Sequence, residues 1–511
     1  MKKEIYFFYS SLPGAMLGVL LDQAKKAMID EGKKVYFVMC EGFFSNCLSN
    51  PKGNIGICKL CKSQSRKIIY DNLSKDIIFL KLSDYYKGDH NKEDIILEKA
   101  QDVKKYVYKD IEVGYGVISS YIHLTRNQLP EINNDSIKYF QNQILQSKQL
   151  IDAFENIIDE IKPDEISSFN GRFNEIKPVF ELGIKKKIQV NLYEFESIGY
   201  KKYAKVVFKN TLPHSIKGNR WKFDYLWNDT NLSKSKKIEL AKEFYYNKRN
   251  GIAAGDKVYV KGTTTGKLPN NWDAKKKNII LFNSSEDEYV SIGKEWEDLA
   301  LFESQYEGLK YIFNQYENNN EIHFYLRVHP NLKNVKYKYH TKLYNFQEDY
   351  NNVTVISPSE DINSYDLLDA SDKVVIFGST IGLEASYWGK PVILLGCSWY
   401  YYENVCYIPK SLNELNTLLI QDLKPIKNEE NFLKLGLFFY NRRATFIDRE
   451  TIYKYVDFNV ATYTIFGKEI FGYNYQKLLG SIKLKAIVVA IIKLLSLNLT
   501  SNKYKLPFDE E

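Results

Sequence analysis

Short apolar runs of strand length alternate along this chain with longer stretches in which apolar positions recur every three or four residues. KEIYFFYS (3–10) is followed by LGVLLDQAKKAMIDEG, with helical spacing and a terminal glycine, and then by KKVYFVMC (33–40). That order predicts a βαβ opening. The pattern resumes with a helix over about 137–161, the strand end DEISSFNGR (164–172), a helix in EIKPVFELGIKK and the strand IQVNLYEF. Residues 215–275 are less regular, and the passage between domains is placed near their end. A second series then runs through NIILFNSS (278–285), a helix over 296–316, EIHFYLRVHP (321–330), VTVISP, a helix over 363–370, KVVIFGS, a helix over 382–388 and PVILLG. Alternation sustained over such lengths predicts two doubly wound α/β domains, each a parallel sheet with helices on both faces.

Length and composition fit this division. A chain of 511 residues exceeds one ordinary core. Its 44% hydrophobic and 26% charged residues are those of a globular protein. The formal charge of +8 arises from 71 basic and 63 acidic residues spread along the chain. It permits an anionic substrate or a membrane surface and shows no basic patch interleaved with aromatics, so nucleic acid is excluded as a partner. The start, MKKEIYFFYS, reads as a first strand and not as a signal peptide, which places the protein in the cytosol. Near the end, KLKAIVVAIIKLLSLNL (483–499) is interrupted by Lys493 and is too short to span a bilayer. It reads as a core helix or as one lying on a membrane surface.

Doubly wound sheets place ligands outside the carboxyl ends of their strands, and those ends carry the polar chemistry here. In the second series one strand ends in Asn283, Ser284, Ser285 and Glu286; another in Arg327, His329 and Pro330; a third in Gly378, Ser379, Thr380 and Gly382. A hydroxyl-rich turn between glycines suits phosphate, with the glycines letting backbone approach the ligand. Glu384 reads either as an acceptor for ribose hydroxyls or as an acid favoured at a helix start. His329 could donate to a phosphate oxygen or simply cap its strand. In the first series the turn Asn170-Gly171-Arg172 could clamp a carboxylate or phosphate through Arg172. Glu194, Glu196 and His214 could each act as general base, and each has a structural alternative in solvation or turn capping.

A separate cluster spans MCEGFFSNCLSNPKGNIGICKLC: Cys40, Cys47, Cys58 and Cys61, spaced C-x6-C-x10-C-x2-C. Only the last pair has a short spacing of the kind seen in metal ligation. A structural zinc or iron–sulfur centre, four reduced thiols and a redox pair at Cys58 and Cys61 all remain open.

NGR (170–172), LYEFES (192–197), LPHS (212–215), NSSEDEY (283–289), RVHPN (327–331), SYDLLDASD (364–372) and FGSTIGLEASYWGKPV (377–392) together resemble the capsule and surface-polysaccharide (lipopolysaccharide-type) glycosyltransferases of GT-B architecture. That group includes capsule Kdo transferases and is distantly similar to polysialyl- and CDP-glycerol-type transferases. The resemblance implies a GT-B fold: an N-terminal acceptor-side domain (1–275) and a C-terminal donor domain (276–425) facing a cleft, with a helical segment (426–511) packing back or touching the membrane.

The resemblance further implies transfer of a sugar from a nucleotide donor (CMP-, CDP-, UDP- or GDP-linked) to a glycan or lipid-linked acceptor at the inner membrane face. His329, Ser379 and Thr380 would contact donor phosphate, Glu384 the ribose or sugar, and Ser284, Ser285 and Glu286 would line the cleft. Lacking a DxD-like pair, the site would meet phosphate charge with cations such as Arg327 or Lys390 and no obligatory catalytic metal. Two rivals stand beside it: a nucleotide-sugar epimerase of the same architecture, and a non-catalytic glycan- or nucleotide-binding regulator of capsule assembly.

Overall fold

The computed structural model describes residues 1–10, 14–73, 77–91, 95–128, 130, 132–199, 202–252, 263–286, 290–333, 335, 338–441, 450–452, 464–465 and 468–469. The chain forms two compact units. One comprises Met1–Thr125, Pro130–Pro213 and Ile447–Glu511; the other Arg126–Leu129 and His214–Phe446.

The first unit is built on β1 (Lys3–Phe7), β2 (Lys34–Met39), β3 (Ile78–Lys81), β4 (Glu165–Phe169), β5 (Gln189–Gly199) and β6 (Lys202–Lys209). A short strand from the end of the chain pairs on the edge, giving the order (450–452)-β6-β5-β4-β1-β2-β3. β1 to β5 run parallel, and β6 turns back antiparallel to β5. Central parallel strands are covered on both faces, so they read as continuous apolar runs. In β1, Ile5, Tyr6 and Phe7 are fully buried. The helix Asn134–Ile161 begins where the Asn133 side chain accepts from the Asp135 and Ser136 amides, and it stops at Lys162, whose left-handed φ of 52° precedes Pro163.

The second unit holds β7 (Lys277–Phe282), β8 (Ile322–Arg327), β9 (Val353–Ile356), β10 (Lys373–Ile376) and β11 (Val392–Leu394), all parallel, in the order β11-β10-β7-β8-β9. The chain builds outward from β7 to β9, then returns to start again on the other side at β10. The expected doubly wound α/β class is therefore what both units show. Where the sequence reading places a single helix over 296–316, there are two, Lys294–Asp298 and Gln305–Tyr316.

The division between units falls at Pro213 and His214, not near residue 275. The reason is packing: the helix Lys234–Arg249 lies against the helix Glu429–Asn441, with the Tyr245 hydroxyl donating to the Phe432 carbonyl at 2.7 Å and Phe244 stacked on Phe439. Gly436 makes the close approach possible, since a Cβ there would sit 2.7 Å from the Ala241 carbonyl. Of the segment 426–511, Glu429–Asn441 is helical, while 450–452, 464–465 and 468–469 are strands. The apolar stretch 483–499 lies outside the described residues. Among the described residues no helix is long and apolar enough to cross a membrane.

Candidate functional site

In the second sheet the direction of winding reverses between β7 and β10, and a doubly wound sheet binds its ligand at such a reversal, beyond the strand carboxyl ends. The loops leaving those strands are Asn283–Glu286 and Gly378–Thr380, with His329 following the neighbouring β8. Asn283 ties two of them together, its Oδ1 accepting the His329 amide at 2.8 Å. The His329 ring is oriented in turn, because its Nδ1 accepts the Asn331 amide at 3.2 Å and caps the turn Pro330–Leu332. A neutral imidazole accepting at Nδ1 carries its proton on Nε2. Ser379 and Thr380 are half-buried at the mouth of the β10 loop; the Ser379 hydroxyl accepts the Ile381 amide at 3.4 Å.

The other donor-side residues of the sequence reading are placed differently. Arg327 is 4% exposed, and its guanidinium donates to the carbonyls of Ser357, Glu360 and Ile362. Burial lowers its pKa. It holds the loop that follows β9. Lys390 precedes β11, at the amino ends of the strands and so at the opposite end from the β7 and β10 loops, and its ammonium donates to the carbonyls of Asp369 and Ser371. Glu384 is buried and accepts from the Tyr365 hydroxyl. Ser284, Ser285 and Glu286 are buried too. The Ser284 amide donates to Gln305 Oε1 at 2.7 Å, and Glu286 accepts the Gln305 amide at 3.1 Å. Gly378 and Gly382 serve internal packing: a Cβ at Gly378 would lie 2.5 Å from the Cys397 carbonyl, and one at Gly382 would lie 1.9 Å from Ile376 Cδ1.

Arg126 is a residue that sequence reasoning missed. It precedes β7 by some 150 positions, yet it belongs to the second unit, where its Nη2 donates to Ser285 Oγ at 3.2 Å. Nothing in RNQLP distinguishes it as a sequence.

In the first unit the winding reverses between β1 and β4. Asn170, in a left-handed turn with φ of 66°, accepts the Arg172 amide and donates to Glu194. Gly171 is required because a Cβ would lie 2.4 Å from Leu192 Cδ1. Arg172 is 8% exposed, its Nε donating to Ser119 Oγ at 2.8 Å, so its guanidinium is a packing group and not an open clamp. Glu196 lies in β5 opposite Ala204; its side chain falls outside the described residues. His214 opens the second unit, its carbonyl accepting from the Trp296 indole at 2.9 Å.

The same end of the first sheet holds a buried polar network that the sequence did not single out. Asn46 Oδ1 accepts from the side-chain amides of Asn142, Gln143 and Gln146 at 2.7–3.0 Å. Glu175 accepts the Leu48 amide at 2.7 Å, and burial raises its carboxyl pKa to about 7. Both interactions fasten the loop that follows β2. Cys40, Cys47, Cys58 and Cys61 line one cavity with residues of that loop and of the β1 end, including Tyr9 and Ser10. Burial pushes the Cys40 thiol up to about 12 and raises Cys47 and Cys58 as well. Among the described residues no three His, Cys, Asp or Glu side chains are gathered closely enough to hold an ion as they stand.

Comparison with known proteins gives one family match: residues 184–408 fit the model described as capsule polysaccharide biosynthesis protein. No curated protein matches the chain. Among solved structures, the β-Kdo 2,4 transferase KpsC of Thermosulfurimonas dismutans is 14% identical, covers 53% of this chain and 79% of its own, and has a TM-score of 0.31. The UDP-GlcNAc 2-epimerase of Methanocaldococcus jannaschii is 12% identical over 85% of this chain and 98% of its own, with a TM-score of 0.24. The glycosyltransferase SsfS6 of Streptomyces sp. SF2575 is 10% identical over 86% and 95%, with a TM-score of 0.19. The matched segment begins just before β5, takes in β7 to β11 and so contains the winding reversal of the second sheet; over that segment the chain is similar to the capsule polysaccharide biosynthesis proteins.

Proposed function

We propose that the protein is a glycosyltransferase of capsule polysaccharide synthesis that holds a nucleotide-sugar donor at the β7–β10 reversal of the second unit. The observation that carries this reading is topological: within the family-matched segment, the half-buried Ser379 and Thr380 and an oriented His329 follow the carboxyl ends of β10 and β8, the two strands that flank β7. Transfer breaks a sugar–phosphate bond toward an oxocarbenium-like transition state, so charge grows on the departing phosphate. A fixed Nε2–H and two hydroxyls can meet that charge without reorganising. The reading needs no catalytic metal. The acceptor is a glycan or lipid-linked glycan, and Glu194, Glu196 and His214 are the candidates for taking its proton. The place of action is the cytosolic face of the membrane, where a lipid-linked acceptor is presented.

A thermal-shift screen against CMP, CDP, UDP and GDP tests the donor site. One nucleotide should stabilise the second unit selectively, and His329→Gln and Ser379→Ala/Thr380→Ala should weaken that response while far-UV circular dichroism stays unchanged. Absence of stabilisation by all four nucleotides would overturn the site. Conversion of a nucleotide sugar to its epimer without acceptor would overturn the transferase assignment in favour of the epimerase.

A further inference from the structure

The four-thiol cavity has no part in sugar transfer as described above. Its cysteines come from three places: Cys40 directly after β2, Cys47 in the loop, and Cys58 and Cys61 one turn apart on the helix Ile55–Asn72. A spacing of three puts the last two on the same helical face. Cys40 lies within electrostatic reach of Cys58 and Cys61, and Cys47 within reach of Cys40 and Cys61. All four line the same cavity. None of them is in a disulfide.

The loop that delivers them is not loose. Cys47 and Asn50 exchange backbone hydrogen bonds at 2.8 and 3.2 Å, Asn54 caps the helix through the Ile57 amide, and Gln146 accepts the Ser45 amide at 2.6 Å. Leu17, Phe37, Phe44 and Ile69 supply apolar wall. A ring of thiols in a sheltered, mostly apolar cavity is the donor set that soft metals select.

We infer that Cys40, Cys47, Cys58 and Cys61 ligate a thiolate-bound metal centre, zinc or an iron–sulfur cluster, that fastens the 40–61 loop to the carboxyl ends of β1 and β2. The thiols ring the cavity without converging on one point. The four thiolates would hold the group as its protein ligands and supply the sulfur donors that zinc and iron–sulfur centres take. Each thiol forms one sulfur–metal bond and releases its proton to solvent, with no change in sulfur oxidation state. The centre is structural: it closes a loop of the first unit and is independent of donor binding in the second.

The test is metal and acid-labile sulfide analysis of the full chain purified anaerobically without chelator, beside Cys40→Ser and the double variant Cys58→Ser/Cys61→Ser. Chelated wild-type protein is then reloaded with Co2+, reading the thiolate charge-transfer band, or with Fe2+ and sulfide. Whole-number zinc or whole-number iron with sulfide, falling to background in the variants, is the expected result and distinguishes the two forms of the centre. Reloading of chelated wild type keeps the test valid should a variant fail to fold. The inference is overturned by metal content at background before and after both reloadings, by metal content unchanged in a folded double variant, or by an intact mass showing these cysteines joined as disulfides.

Discussion

Three glycines near the proposed donor loop separate backbone strain from crowding. Gly378 has φ of 130° and its missing Cβ would meet the Cys397 carbonyl at 2.5 Å; Gly389 has φ of 81° with nothing within 4 Å; Gly382 lacks positive φ but its Cβ would meet Ile376 Cδ1 at 1.9 Å and the Tyr400 hydroxyl at 2.7 Å. Gly389→Ala should therefore lose only the left-handed backbone preference, about 1 kcal/mol. Gly382→Ala adds crowding of about 1–3 kcal/mol but recovers about 1 kcal/mol of helix propensity. Gly378→Ala combines strain of about 1–3 kcal/mol with the displacement of a backbone carbonyl, which cannot rotate aside, for a total of about 2–5 kcal/mol. For a unit of this size that corresponds to a fall in Tm of about 5–15 °C. All six tryptophans lie between Trp221 and Trp399, inside the second unit, so tryptophan fluorescence during urea or thermal unfolding reports that unit alone. Damage should rank Gly378 well above Gly382 and Gly389. A Gly378→Ala protein that melts with wild type, or one less damaged than Gly389→Ala, would refute the placement of the β10 loop against β11.

Further outcomes are expected elsewhere. Arg327→Met leaves the carbonyls of Ser357, Glu360 and Ile362 without their donor and should lower second-unit stability by about 1–3 kcal/mol in urea melts while the nucleotide thermal shift survives. Loss of that shift in a folded variant would return Arg327 to the donor site. Asn46→Ala strips the shared acceptor from three side-chain amides and should cost the first unit about 3 kcal/mol or more, read by circular dichroism. His323 is held neutral by burial and by Lys276, its pKa lowered to about 4. The unfolded chain then binds the extra proton between about pH 6.5 and 4, so this contribution is fully present above that window and is lost as pH falls through it. His323→Phe should flatten the stability–pH slope there; an unchanged slope would contradict the assignment.

The strands of both sheets are legible because central parallel strands are apolar on both faces, and KVVI or IHFYLR can hardly be anything else. The domain boundary was less so. Residues 214–252 carry no strand, and it is contacts with distant residues that assign them to the second unit, among them Phe244 and Tyr245 with Phe439 and Phe432, and Arg220 with Glu403. Strand-end positions were readable, but side-chain direction was not. Arg327 and Lys390 follow the pattern of phosphate-binding cations, yet one turns into its own loop and the other caps a helix. Glycine at 378 and 382 is also required by neighbours the sequence does not show, the Cys397 carbonyl and Ile376 Cδ1. Arg126 and Glu175 are significant only through contacts some 160 and 130 residues away, and such pairings leave no local trace.

The chain passes between its two units at residues 125/126, 129/130, 213/214 and 446/447. A relative could not therefore trade its second unit for another's by a single recombination event. A crossover at 213 would bring in the foreign unit together with the foreign 447–511 tail, including the 450–452 strand that pairs with β6 of the host sheet. Variation in the second unit is thus expected to arise by substitution within its loops, or by paired exchanges that return the tail to its own sheet.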